Sequence, residues 1–141
     1  MGGTINEVIE KARSMAAKSH FCHLATNDGN HPQVRAMSFV LTEDGEIWFS
    51  TSVKSRKINQ LRKNPNAEAY FTDDKGFHCK IDGVCVVSTD STDKKKQWKA
   101  QPELRDHFKN IDDPDFAIIK LKPKRYEVMS VGNFGYQVAD A

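Results

Sequence analysis

At 141 residues, 38% of them hydrophobic and 28% charged, the chain fits one globular domain with its own core. No apolar run approaches the roughly 20 residues of a membrane span, and a net charge of +2 is too small to imply nucleic acid. The three cysteines, Cys22, Cys79 and Cys85, are odd in number and irregular in spacing, which argues against a disulfide framework. The start, MGGTINEVIEKARSMAAK, has no apolar signal core, so the expectation is a cytoplasmic protein with no membrane partner.

Thr4 and Glu7 form a T-x-x-E capping box. Behind it Ile5, Val8, Ile9, Ala12, Met15 and Ala16 recur at helical spacing, predicting a helix over residues 5–18. Phe21–Thr26 reads as a strand, Asn27–Asn30 as a turn, Gln33–Leu41 as a second strand and Thr42–Gly45 as a second turn. Glu46–Thr51 carries Ile47, Trp48 and Phe49 and predicts a third strand. A short helix follows from Ser55 to Lys63, with Ile58 and Leu61 on one side and Asn64-Pro65 as its stop. Ala67–Thr72, a turn at Asp73–Gly76, and Phe77–Ser88 give a hairpin, with Gly83 marking a bulge or bend in its second strand. Residues 93–100 and 102–109 read as short helices, the second opened by Pro102. Phe116–Leu121 and Arg125–Val131 read as two strands split by Pro123, and the last ten residues, GNFGYQVADA, carry no assignable pattern.

About six to seven short antiparallel strands with flanking helices predict a mainly β domain, a barrel or a sandwich. The barrel is preferred, because closure removes the exposed edges of such a meander.

The segment with the most chemistry is TSVKSRKINQLRKNP, residues 51–65. It runs from a strand end into a helix whose opening carries Lys54, Arg56 and Lys57, where cations oppose the helix dipole. A bound anion reverses that conflict, because free N–H groups, Ser52 and Ser55 hydroxyls and cations then converge on one phosphate. The other reading is a solvated basic face with Ser55 as a plain N-cap. Arg35, in RAMSFV, shares its strand face with Met37 and Phe39, where a lone cation is costly unless an anion meets it. The alternative there is an outward, solvated Arg35.

These pieces in order (R-A-M-S-F-V, I-W-F-S-T, S-R-K, L-R-K-N-P-N-A-E-A-Y-F) resemble the pyridoxamine 5′-phosphate oxidase-like flavoproteins, in particular their general-stress-protein branch. The leading helix, F-C-H-L-A-T-N-D-G and the late IIKLKPKRYEV extend the likeness over nearly the whole chain, residues 1–141. The resemblance implies an FMN-binding split β-barrel working as a homodimer, with flavin at the subunit interface. By position, Arg35, Arg56 and Lys57 would contact the phosphate, helped by Ser55, and Ser50 and Thr51 would lie beside the ribityl–phosphate arm. The backbone of Ala36, Met37, Ser38, Phe39 and Val40 would follow the isoalloxazine ring, and His78 would make a polar ring or phosphate contact. Two departures weigh against pyridoxamine phosphate oxidation. Val40 stands where those oxidases carry a substrate-phosphate lysine, and the tail NFGYQVADA lacks their Arg-x-His element.

The expected function is a flavin-dependent oxidoreductase passing hydride or electrons between a small-molecule donor and a small acceptor. The flavin supplies the redox chemistry, so an unreadable catalytic acid or nucleophile is no objection. The rivals are a non-catalytic flavin-binding or redox-sensing stress protein, and a split barrel holding haem, FAD or a deazaflavin. A nucleic-acid binder using Lys54, Arg56, Lys57, Arg62 and Lys63 has no matching basic excess elsewhere. The histidines and cysteines lack the spacing of a metal site, so no metal is expected, and the cysteines read as small buried residues. Asp73-Asp74 and Asp112-Asp113 belong to turns, Lys94-Lys95-Lys96 to one exposed helix face, and Trp98 to an inward ring or the border of the flavin pocket.

Overall fold

The structure is a computed structural model that describes residues 4–129 and 135–141. Helix α1 spans Ile5–Lys18 and opens on the expected capping box, with the Glu7 amide donating to Thr4 Oγ1 at 3.3 Å and the Thr4 amide to Glu7 Oε2 at 3.2 Å. Its apolar stripe, Val8, Ala12 and Ala16, is buried in the main core. The strands are β1 (Phe21–Asp28), β2 (His31–Ser38), β3 (Val40–Leu41), β4 (Ile47–Ser52), β5 (Asn66–Thr72), β6 (His78–Ser88), β7 (Phe116–Met129) and β8 (Gln137–Asp140). Between them lie helix α2 (Arg56–Lys63), helix α3 (Ser91–Ala100) and a 3-10 turn at Pro102–Asp106. Among the described residues no helix is long and apolar enough to cross a membrane.

The sheet is antiparallel in the order β2-β1-β5-β6-β7-β4-β3, with β8 added beside β7. Its two ends, β2 and β3, are separated in sequence by Phe39 alone. One residue spans only about 3.5 Å, so the sheet must curl until its first and last strands meet. This is a split β-barrel: the ends approach, but among the described residues no ladder joins β2 to β3. The expected single strand over Gln33–Leu41 is therefore two strands on opposite edges, hinged at Phe39.

Alternation along each strand sends one face inward. Cys22 and Leu24 of β1, Ile47 and Phe49 of β4, Ala69 and Phe71 of β5, Cys79 and Ile81 of β6, and Ile119 and Leu121 of β7 fill the barrel. All three cysteines are buried, and burial pushes each thiol up to about 12. A smaller cluster, Trp48, Leu104, Phe108, Phe116 and Ile118, lies outside the barrel under α3 and the 3-10 turn. Trp98 packs on this cluster, its ring 6.1 Å from that of Phe116.

Several local expectations are corrected. Residues 102–109 form a 3-10 turn only over Pro102–Asp106. The Lys94–Lys96 run is not one exposed face, because Lys94 is buried, lies 5.6 Å from the Phe116 ring centre and donates to the Asp113 carbonyl at 3.3 Å. Pro123 does not split two strands: β7 runs continuously from Phe116 to Met129. Of the expected strand over Arg125–Val131, residues 130 and 131 lie outside the described residues. The tail contributes β8, with Ala139 buried opposite Tyr126.

Candidate functional site

Arg35 sits opposite Leu24 in the β1–β2 ladder and on the same inward face as Met37. The face that alternation assigns it is thus the one it occupies, and it is not a free surface arginine. Its Nη1 donates to the Leu24 carbonyl at 3.2 Å and to Thr26 Oγ1 at 2.7 Å, and its Nη2 to Gln60 Oε1 at 3.2 Å. The Thr26 hydroxyl in turn donates to Gln60 Oε1 at 2.6 Å. Thr26 follows Cys22 and Leu24 as an inward residue of β1, and Gln60 lies with Ile58 and Leu61 on the buried side of α2.

Helix α2 begins directly beside this group. Its N-cap Ser55 makes no side-chain capping bond, and its first turn has no acidic residue. The Lys57 ammonium donates to Thr51 Oγ1 at 2.9 Å, and the Thr51 hydroxyl lies 3.3 Å from Ser55 Oγ. Arg35, Arg56 and Lys57 therefore share one locality with hydroxyls and with the first amides of a helix. Burial, and then the charge of Arg56, lower the pKa of Arg35; burial, and then the charge of Arg35, lower that of Lys57. Among the described residues the ion pairs are Lys80–Glu127, Lys120–Asp93 and Arg125–Glu127, and none involves these three cations. Like charges held together without a carboxylate are unfavourable until an anion joins them. The donor set (guanidinium, ammonium, hydroxyl and helix-start N–H) fits a phosphate monoester.

The remaining expected site residues divide. Met37 and Phe39 pack against the barrel core, with the Phe39 ring 5.2 Å from Phe71 and edge-on to it. Ala36 and Ser38 face outward on β2. That strand pairs only with β1 among the described residues, which leaves its other edge of backbone donors and acceptors unpaired. Val40, half-buried, lies opposite Trp48. Ser50 does not accompany Thr51, since neighbouring strand residues face opposite sides. Its hydroxyl instead donates to Gln101 Oε1 at 3.0 Å and accepts from Gln97 Nε2 at 2.9 Å, beneath α3. His78 also stands apart. Its Nε2 lies 3.0 Å from the Tyr136 hydroxyl and its ring centre 5.4 Å from that of Tyr70, tilted by 35°, and none of these contacts reaches Arg35, Arg56 or Lys57.

Sequence reasoning missed Thr26 and Gln60. The available signal was polarity at inward positions, Thr26 in phase with Cys22 and Leu24, and Gln60 between Ile58 and Leu61. A groove of about 1280 Å³ opens elsewhere, between α1, the start of β1 and the β5–β6 turn. Its charged lining mixes signs, Glu7, Glu10, Asp73 and Asp74 with Lys11, Lys18 and Lys75, and does not make a single-sign site.

A split β-barrel with a cradle of uncompensated cations at the helix after β4 defines the class of this protein. Residues 8–130 match the family model described as Pyridoxamine 5′-phosphate oxidase, and the chain belongs to that family. It is 28% identical over 114 residues to General stress protein 26 of Bacillus subtilis (strain 168), covering 77% of this chain and 79% of that one. Among solved structures it is similar to General Stress Protein 26 from Bacillus anthracis str. Sterne, with a TM-score of 0.81, 21% identity, and 96% and 99% of the two chains covered. A pyridoxamine 5′-phosphate oxidase-related, FMN binding protein from Nostoc punctiforme PCC 73102 aligns with a TM-score of 0.70 and 18% identity over 95% and 85%. A heme binding protein from Mycobacterium smegmatis aligns with a TM-score of 0.76 and 19% identity over 94% of this chain and 57% of that one. At such identities these structures bear on the fold alone.

Proposed function

We propose that this protein binds FMN and acts as a flavin-dependent oxidoreductase. Arg35, Arg56 and Lys57, with Ser55 and the first amides of α2, hold the flavin phosphate. Thr51 lies beside the ribityl arm, and the unpaired edge of Ala36–Val40 follows the isoalloxazine ring. Ser50 and His78 are left out of this arrangement within one chain, because Gln97, Gln101 and Tyr136 engage them. The observation that carries the reading is the trio of cations with no carboxylate partner. The flavin, when bound, supplies hydride or single-electron transfer, while the protein orients it and shields it from water. A reduced nicotinamide or another small molecule is the donor and a second small molecule the acceptor. Pyridoxamine phosphate is a poor substrate, because Val40 offers no charge to a substrate phosphate.

The reading is tested at Arg56. Charge-assisted hydrogen bonds are worth about 1.5–3 kcal/mol each, so Arg56→Ala should weaken FMN binding roughly ten- to a hundredfold. Riboflavin, which lacks the phosphate, should bind wild type and variant alike. Flavin fluorescence during titration of the apo proteins reads both. Unchanged FMN affinity in the variant, or equal loss of both flavins, would place the phosphate elsewhere. The haem-binding structural neighbour motivates one further measurement: the absorption spectrum of the purified protein distinguishes flavin from haem. Turnover of bound flavin by NADH or NADPH separates an enzyme from a non-catalytic flavin carrier.

A further inference from the structure

Arg35 is held by three acceptors, and all of them are neutral: the Leu24 carbonyl, the Thr26 hydroxyl and the Gln60 amide oxygen. Thr26 and Gln60 are only 2% and 6% exposed, so the two groups that aim the guanidinium are themselves fixed by packing. The bonds close a triangle, with Arg35 donating to both partners and Thr26 donating to Gln60. Nη1 is fully engaged and Nη2 half engaged, so one Nη2 hydrogen and the Nε–H remain for a ligand.

The identity of the residue at 60 matters more than its length. A glutamate has the same reach and would bind the guanidinium more strongly, as a charge-assisted pair. It would also cancel the charge on which anion binding depends, and would add a carboxylate close to the incoming phosphate. An apolar side chain would leave the charge intact but remove an acceptor that orients it. A buried amide does neither.

We infer that Gln60, acting with Thr26, is the positioning residue that sets preference for a phosphorylated over an unphosphorylated ligand, by orienting Arg35 without neutralising it. The inference rests on the flavin-phosphate reading above. It concerns a residue that does not itself touch the ligand, so total affinity is a weaker readout than the ratio between two ligands differing only in the phosphate.

The experiment titrates apo wild type, Gln60→Glu and Gln60→Met with FMN and with riboflavin, and records the melting temperature of each apo protein. Gln60→Glu should lower FMN affinity by about tenfold or more and leave riboflavin within about threefold. Its apo form should melt no lower than wild type, since a new ion pair replaces a neutral bond. Gln60→Met keeps length and volume and should lower FMN affinity a few-fold, again sparing riboflavin. If both variants keep the wild-type FMN-to-riboflavin ratio, or lose both ligands in parallel, Gln60 is a packing residue and the inference is overturned. Should glutamate prevent folding, the ratio measured for Gln60→Met decides alone. A wild type that does not prefer FMN to riboflavin overturns the phosphate site first, and the role of Gln60 with it.

Discussion

Glu68 and Asp82 stand opposite each other on β5 and β6, both half-buried. Burial first, then the hydrogen bond and charge of Asp82 and the charge of Glu127, push Glu68 up to about 7 from an ordinary 4.5, while Lys80 pulls the other way. A proton kept by Glu68 gives it a donor toward the Asp82 carboxylate. The sign follows from proton binding. Below about 4.5 folded and unfolded chains both hold this proton, whereas between about 4.5 and 7 only the folded chain does, so stability falls as pH rises through that window. Glu68→Gln keeps the hydrogen bond and removes the charge. It should therefore raise the melting temperature at pH 8 clearly more than at pH 5; an equal effect at both would show that Glu68 does not hold the proton. Single residues were legible in the sequence where charge broke a pattern, as at Arg35 on an apolar face and at the three cations around Ser55. They were not legible where the decisive group is neutral. Thr26 and Gln60 look like any polar residue until the ladder and the helix bring them to one guanidinium.

Elements were read well where local signals decide them: the capped α1, the α2 stop at Asn64-Pro65, and turns closed by Gly29, Gly45 and Gly76, all at positive φ. They were misread where pairing decides. Pro123 looks like a strand breaker because it has no amide to donate. In β7 it falls where one edge changes neighbour, after β4 pairing ends at Leu121 and before β8 pairing begins at Arg125. On the other edge it lies opposite Gly83, beside a bulge in which Lys124 is the extra residue. The irregularity expected at Gly83 is real, but the extra residue belongs to the partner strand. Gly83 is what admits it, since a Cβ there would lie 2.2 Å from the Lys122 carbonyl oxygen. Backbone cannot yield as a flexible side chain would. Gly83→Ala should cost about 1–3 kcal/mol, as overpacking generally does. Urea denaturation would read this as a lower midpoint at constant slope, and an unshifted midpoint would mean that the bulge relaxes freely.

At the scale of the whole molecule, the outward face of β1 and β2 carries two exposed large apolar side chains beside His23 and Ser38. Phe21 is 56% exposed and Val34 68% exposed, and Ala36 lies between them on the same strands. The unpaired edge of β2, proposed above as the flavin wall, borders this face. A second copy related by twofold symmetry would cover both. We therefore expect light scattering at micromolar concentration to give twice the 16.0 kDa chain mass. Val34→Lys should shift the protein toward monomer and weaken FMN binding with it. A monomeric, flavin-loaded wild type would dispose of the dimer.

The place of β7 in the sheet also bears on how the chain comes together. Among the described residues, β4 pairs only with β3 and β7, so the β3–β4 hairpin reaches the remainder of the sheet through β7 alone. During synthesis β1, β2, β5 and β6 emerge able to pair with one another, while β4 leaves the ribosome long before the strand that will hold it. The barrel cannot curl shut until Phe116–Met129 threads between β6 and β4. Such long-range pairing makes for slow folding and a prolonged interval of exposed strand edges. A nascent chain halted before Phe116 would carry Arg35, Arg56 and Lys57, and the Thr26–Gln60 pair that orients Arg35, but not the strand that joins the β3–β4 hairpin to the rest of the sheet.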